Sequence, residues 1–216
     1  RLPETLEEHG AALEALVNWW LASRDPQVGR RLEQMIHTLW QLSEKTGGQC
    51  WFPHESVSED GWSGIWAVAD PCHYSAGVHI LPLMRLYEDT GDPGTLRLAG
   101  GLSRFIVERQ AAIAEDGSFF VQKDATGQRR WFDEGHFHSR ISTLIGIARY
   151  ALVTGDQRLL DWTIRGYHFG RRIGSSFGWF PEGTGVDYQT TLGNSETCCI
   201  TDMIHFAGLL ARQVDE

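Results

Sequence analysis

The sequence predicts an all-α fold assembled from αα-hairpins, and three observations carry that prediction. Apolar residues recur at helical spacing through most of the 216 residues. Two short stops, Thr90-Gly91-Asp92 and Thr154-Gly155-Asp156, lie 64 residues apart, and each separates a pair of helical stretches. Several connections between pairs are long, whereas these two turns within pairs are short. Long loops alternating with tight turns gather the elaboration on one face, which favours an (α/α)6 toroid over a bundle or solenoid. Seven predicted helices are too few to close six hairpins. Residues 1–216 therefore read as one helical domain, an incomplete ring within a larger (α/α)6 catalytic domain.

Glu4 to Ser23 predicts the first helix, with Leu6, Ala12, Leu13, Leu16, Val17, Trp20 and Leu21 at helical spacing. Asp25-Pro26 breaks it and opens a second, where Leu32, Met35, Ile36, Leu39, Trp40 and Leu42 repeat the period; Thr46-Gly47-Gly48 is expected to stop it. Gln49 to Cys72 has no helical period and is too aromatic for a linker, the mark of a functional loop. Tyr74 to Asp89 is helical, and Pro82 should kink it or lie near its start. After the stop and N1 proline of Thr90 to Pro93, Gly94 to Gln110 forms the next helix. Between Gly117 and Asp133 the period changes: Phe119 to Val121 and Trp131-Phe132 flank Asp124 to Gly127, predicting a short β-hairpin. The remaining helices are expected over His136 to Val153, Gln157 to Ile173 and Ser195 to Arg212.

The bulk composition excludes several classes of partner. A net charge of −9 argues against a nucleic-acid backbone, and the longest apolar runs fall short of a membrane span. Nine Trp and ten Phe suit either an aromatic core or the stacking of flat apolar faces such as sugar rings. Four Cys in a chain this long are no disulfide scaffold, and the adjacent Cys198 and Cys199 do not favour bonding to each other. Cysteine usage and the absence of a signal-peptide pattern at Arg1-Leu2-Pro3 point to a reducing, cytoplasmic setting.

One stretch concentrates the chemistry: Gly178 to Ala207, GWFPEGTGVDYQTTLGNSETCCITDMIHFA. Glu182 stands beside Trp179, Phe180 and Pro181, where desolvation would raise a carboxyl toward a useful general acid. Glu196, Cys198 and Cys199 head an apolar helix, where thiolate and carboxylate form a plausible partial zinc site. The plainer alternative makes Ser195 an N-cap and the cysteines small core residues. His79 falls on an apolar helix face and reads equally as a core histidine. His136 and His138 open a helix at a spacing that faces them apart, which argues against both ligating one ion. Asp187 and Tyr188 are candidate sugar contacts or turn residues, and Trp51, Trp62 and Trp66 wall a pocket or pack its rim.

Gly77 to Asp92, GVHILPLMRLYEDTGD, the stretch from Gly135-His136 to Thr154-Gly155-Asp156 with Arg140, and Phe180 to Glu182 through Asp187-Tyr188 to Glu196-Thr197-Cys198 occur in an order similar to one family. Over roughly residues 70 to 216 the chain resembles the β-L-arabinofuranosidases of glycoside hydrolase family 127 and their relatives, formerly a domain of unknown function. The resemblance implies an (α/α)6 toroid that hydrolyses glycosides with retention. It also implies a zinc ion held by Glu196, Cys198 and a later Cys-Cys pair that supplies the nucleophile. Glu182 would be the acid/base, and His79 and His136, with Asp187 and Tyr188, would meet an oligosaccharide or glycoside substrate. The spacing from Glu182 to Glu196 is two residues shorter than the family form, Cys199 replaces a small residue, and the later cysteines would lie beyond Glu216. Two alternatives remain: a metal-independent toroid enzyme of the unsaturated-uronyl-hydrolase or polysaccharide-lyase type, and a non-catalytic sugar-binding or scaffold fragment.

Overall fold

A computed structural model of the chain describes residues 6–52, 57–58, 61–62, 77–110, 113–119, 136–183 and 195–212. Among them run seven α-helices: α1 Leu6–Ser23, α2 Pro26–Leu42, α3 Gly77–Thr90, α4 Pro93–Phe105, α5 Phe137–Thr154, α6 Gln157–Ile173 and α7 Thr197–Ala211. Two small antiparallel hairpins pair β1 (Glu44–Thr46) with β2 (Gln49–Trp51), and β3 (Val57–Ser58) with β4 (Gly61–Trp62).

The two TGD stops share one mechanism. Thr90 and Thr154 fold their hydroxyls back onto the carbonyls of Leu86 and Tyr150, each at 2.8 Å. Gly91 and Gly155 then take φ of 67° and 71°, the left-handed conformation that ends a helix without a Cβ penalty. The aspartates cap the helices that come next: Asp92 accepts from Thr95 N and Oγ1 at 2.7 Å, and Asp156 from Leu159 N at 3.1 Å.

Three sequence expectations shift. The glycines of Thr46-Gly47-Gly48 do not end α2, which stops at Leu42 with Ser43 as C-cap. At φ of 55° and 83° they form the two-residue turn of the β1–β2 hairpin, in the register Thr46↔Gln49, a turn that demands positive φ at both positions. Pro82 lies inside α3 and is buried. The helix expected to reach Gln110 changes at Ile106 into a single π-helical turn, Ile106–Gln110. Of the hairpin expected over 117–133, the described part is a turn closed by an antiparallel bridge between Ile113 and Phe119; the rest lies outside the described residues.

Alternate helices form one layer: α1 packs on α3, α3 on α5, and α5 on α7, while α2, α4 and α6 each pack on the odd helix before them. Side-chain pairs at the ends show that the odd helices run parallel. Arg24 at the end of α1 clamps Asp89 near the end of α3, with Nη2 2.6 Å from Oδ1. Glu88 of α3 pairs with Arg149 of α5 at 2.6 Å, and at the opposite end His136 meets Glu196. The N-termini of α3, α5 and α7 therefore share one end, and the TGD turns occupy the other.

The core is continuous between the layers, with Leu83, Met84, Leu98, Ile141, Leu144 and Phe206 fully enclosed. Each such side chain contributes about 1.5–3 kcal/mol by leaving water. Gly146 sets the α3–α5 spacing, since a Cβ there would stand 2.6 Å from Leu81 N.

Candidate metal centre

The parallel layer brings two helix N-termini together. His136 is the N-cap residue of α5 and Glu196 that of α7, both with extended backbone, and neither side chain caps its own helix. They turn toward each other: His136 Nε2 lies 2.9 Å from Glu196 Oε2. Cys198, in the first turn of α7, donates its thiol to the same oxygen at 2.8 Å. Nitrogen, oxygen and sulfur donors from the three residues thus all lie within 4.8 Å of one another, each half-buried. Glu196 rather than Ser195 occupies the cap position, and the dipoles of both helices favour its negative charge. Hydrogen bonds from Cys198 and then His136 hold its carboxyl below the usual range. Burial and the Glu196 carboxylate push the Cys198 thiol well up, against the lowering that a helix N-terminus alone would give.

Cys199 fits the plainer reading, as a fully buried residue whose thiol burial pushes up to about 11. The two histidines lie edge to face with ring centres 5.6 Å apart, against the expectation that their spacing turns them apart, yet they take different partners. His138 Nδ1 binds Asp202 Oδ2 at 2.5 Å, and that hydrogen bond raises its pKa.

Glu182 reaches this end through its backbone. Phe137 N donates to Glu182 O at 2.8 Å, and Gly183 bridges His136 in antiparallel fashion. Pro181 and Phe180 are buried behind it, and Phe180 stacks on Phe137 with ring centres 5.6 Å apart. His79 is fully buried, 5.4 Å from the Phe52 ring, and is not one of the residues drawn into the cluster. Trp51 packs inside the fold, stacked on Phe105 at 5.0 Å. Asp187, Tyr188 and Trp66, and the side chain of Trp62, lie outside what is described.

Two residues of α7 escaped the sequence reading. Asp202 holds His138, and His205 Nε2 accepts from Arg149 Nη2 at 3.3 Å. Burial first, then the Arg149 charge, keeps the His205 pKa low. Cys198, Asp202 and His205 stand at i, i+4 and i+7 in a largely apolar helix, a polar stripe that helical spacing alone would have exposed.

The fold is that of the (α/α)-toroid proteins. Solved structures that share it include two sugar epimerases. One is cellobiose 2-epimerase from Bacillus thermoamylovorans, with a TM-score of 0.63 and 15% identity, matching 99% of this chain and 56% of that one. The other is a sugar epimerase from a ruminal bacterium, with a TM-score of 0.57 and 12% identity, matching 98% and 59%. The chain spans less than two thirds of the length of either, and at such identities the likeness fixes the fold alone. No protein-family profile and no curated protein matches the sequence. Among the described residues, no helix is long and apolar enough to cross a membrane.

Proposed function

We propose that this chain belongs to a carbohydrate-active toroid enzyme that hydrolyses glycosides with retention, as β-L-arabinofuranosidases do. Its metal centre uses Glu196, Cys198 and His136. The observation that carries the reading is the meeting of three unlike donors at two helix N-termini, neither of whose cap side chains serves its own helix. Imidazole nitrogen, carboxylate oxygen and a cysteine sulfur are the donor types that zinc takes. The residues present therefore fit the ion, with His136 added to the two ligands expected from sequence. Bound zinc would keep thiolates ionised and protected from oxidation.

Retaining hydrolysis needs a nucleophile on one face of the anomeric carbon and a proton donor on the other. Glu182 is the proposed donor: its backbone is pinned beside His136, and its side chain is half-buried at the same end of the helices. It would protonate the departing glycosidic oxygen and later take a proton from water. Asp187 and Tyr188 are the proposed contacts to the oligosaccharide or glycoside; His79, expected from sequence as a further contact, is fully enclosed beside Phe52 and takes the core reading instead.

The test is an aryl β-L-arabinofuranoside offered to the wild type and to Glu182→Gln. The variant should bind it but lose at least ~100-fold in turnover; equal turnover would remove Glu182 from the mechanism. The likeness to two epimerases favours a second reading, epimerisation of a sugar such as cellobiose without use of the metal centre. Conversion of cellobiose by metal-stripped protein, without release of free sugar, would select it.

A further inference from the structure

We propose that the groove between α2 and α4, on the side of the fold away from the metal centre, binds a phosphate monoester with an apolar body. Two cavities, of about 420 and about 380 Å³, meet there, and Trp40 and Arg97 line both. Their chemistry differs sharply. The larger is walled by Trp20, Leu32, Ile36 and Leu86, with the acids Glu33 and Asp92 among its lining residues. The smaller, beside the Gly47-Gly48 turn, is lined by Lys45, Arg97 and Arg104 and, among the described residues, by no acid.

In a chain of net charge −9, three cations lining one cleft with no acid among the described residues are unexpected. Arg24, Arg85, Arg149 and Arg158 each pair with a carboxylate; among the described residues, Lys45, Arg97 and Arg104 form no salt bridge, although the charge of Arg97 acts on Asp92 from a distance. Neutral groups hold them in place instead. Lys45 Nζ and Arg97 Cζ lie 4.7 and 4.9 Å from the centre of the Trp40 ring, and Lys45 also donates to Ser43 O. Arg104 donates from Nε to Gly48 O at 2.9 Å and from Nη1 to Tyr150 Oη at 3.0 Å, which leaves Nη2 without an acceptor among the described residues. Fixing a cation while leaving its charge unneutralised prepares an anion site. Lys45 and Arg104, with Arg97 only partly answered by Asp92, match the two charges of a phosphate monoester better than the one of a carboxylate. The acids of the larger cavity repel that head, so the ester lies with its phosphate toward Arg104 and its apolar part between Leu32 and Leu86. With cations over its indole, Trp40 does not offer an open face for a sugar ring.

Calorimetric titration with 1-naphthyl phosphate, 1-naphthol and inorganic phosphate tests the site. The ester should bind, with the alcohol and the free ion each at least about tenfold weaker. Lys45→Gln and Arg97→Gln, both exposed positions, should each weaken the ester by about tenfold with an unchanged melting temperature. No binding of the ester, equal binding of inorganic phosphate, or indifference to both substitutions at intact melting temperature would overturn the proposal.

Discussion

Zinc affinity at the His136–Glu196–Cys198 cluster should rise about tenfold between pH 7.5 and 8.5, and the slope comes from the metal-free geometry. The Cys198 thiol donates to Glu196 Oε2 at 2.8 Å, and burial with that hydrogen bond raises its pKa well above the thiol norm of about 8.5. It therefore keeps its proton across this range, yet ligation requires the thiolate, so each ion bound displaces one proton. One proton exchanged per ion makes log affinity rise by about one per pH unit, or about 1.4 kcal/mol. Glu196 adds no slope, because its carboxyl is held below the usual range and is already ionised. Competition with a chromophoric chelator at the two pH values gives the slope, and titration in buffers of different ionisation enthalpy counts the proton. Cys198→Ala should abolish the slope and lose more than the ~10–100-fold that removal of a supporting hydrogen-bond partner costs. A pH-independent affinity, or a Cys198→Ala variant that binds zinc as tightly, would refute thiolate ligation here.

Other consequences fall on the scaffold. Gly146→Ala would press a methyl group against the α3 backbone near Leu81 and should cost about 1–3 kcal/mol in denaturant titration. Asp92→Ala removes the cap of α4 and should cost about 1 kcal/mol. Burial raises the Asp92 carboxyl, but hydrogen bonds from Thr95 and Gly94, with the Arg97 charge, outweigh it and leave the pKa lowered. The stability it adds is thus fully present above the unfolded value near 3.9 and is lost as pH falls through the lower folded value. Acid titration of Asp92→Ala should lack that part of the loss. Phe177→Ser, at a side chain 85% exposed, should change stability by less than about 0.5 kcal/mol.

What the sequence made legible is what local chemistry determines. Each TGD stop works through a Thr, a Gly and an Asp within a few residues of one another, so its place between two helices is legible along the chain. Thr46-Gly47-Gly48 carries similar letters but does not stop a helix, because the hairpin it forms depends on a distant partner. Cys50 packs against α4, with its thiol 3.6 Å from Leu98 O and 2.4 Å from where a Gly101 Cβ would stand. The candidate site divides in the same way. Glu196 and Cys198 are two residues apart at a helix start and could be paired on sight. His136 joins them across 60 residues, and Asp202 meets His138 across 64, through the packing of α5 on α7. Neither spacing leaves a mark along the chain.

The most direct measurement is anomalous diffraction at the zinc absorption edge from crystals of the protein prepared with zinc. A metal centre at the two helix N-termini should give a single strong peak bounded by His136 Nε2, Glu196 Oε2 and Cys198 Sγ, absent in crystals of Cys198→Ala. A zinc-free cluster in fully loaded crystals, or a peak that persists without the Cys198 thiol, would contradict it.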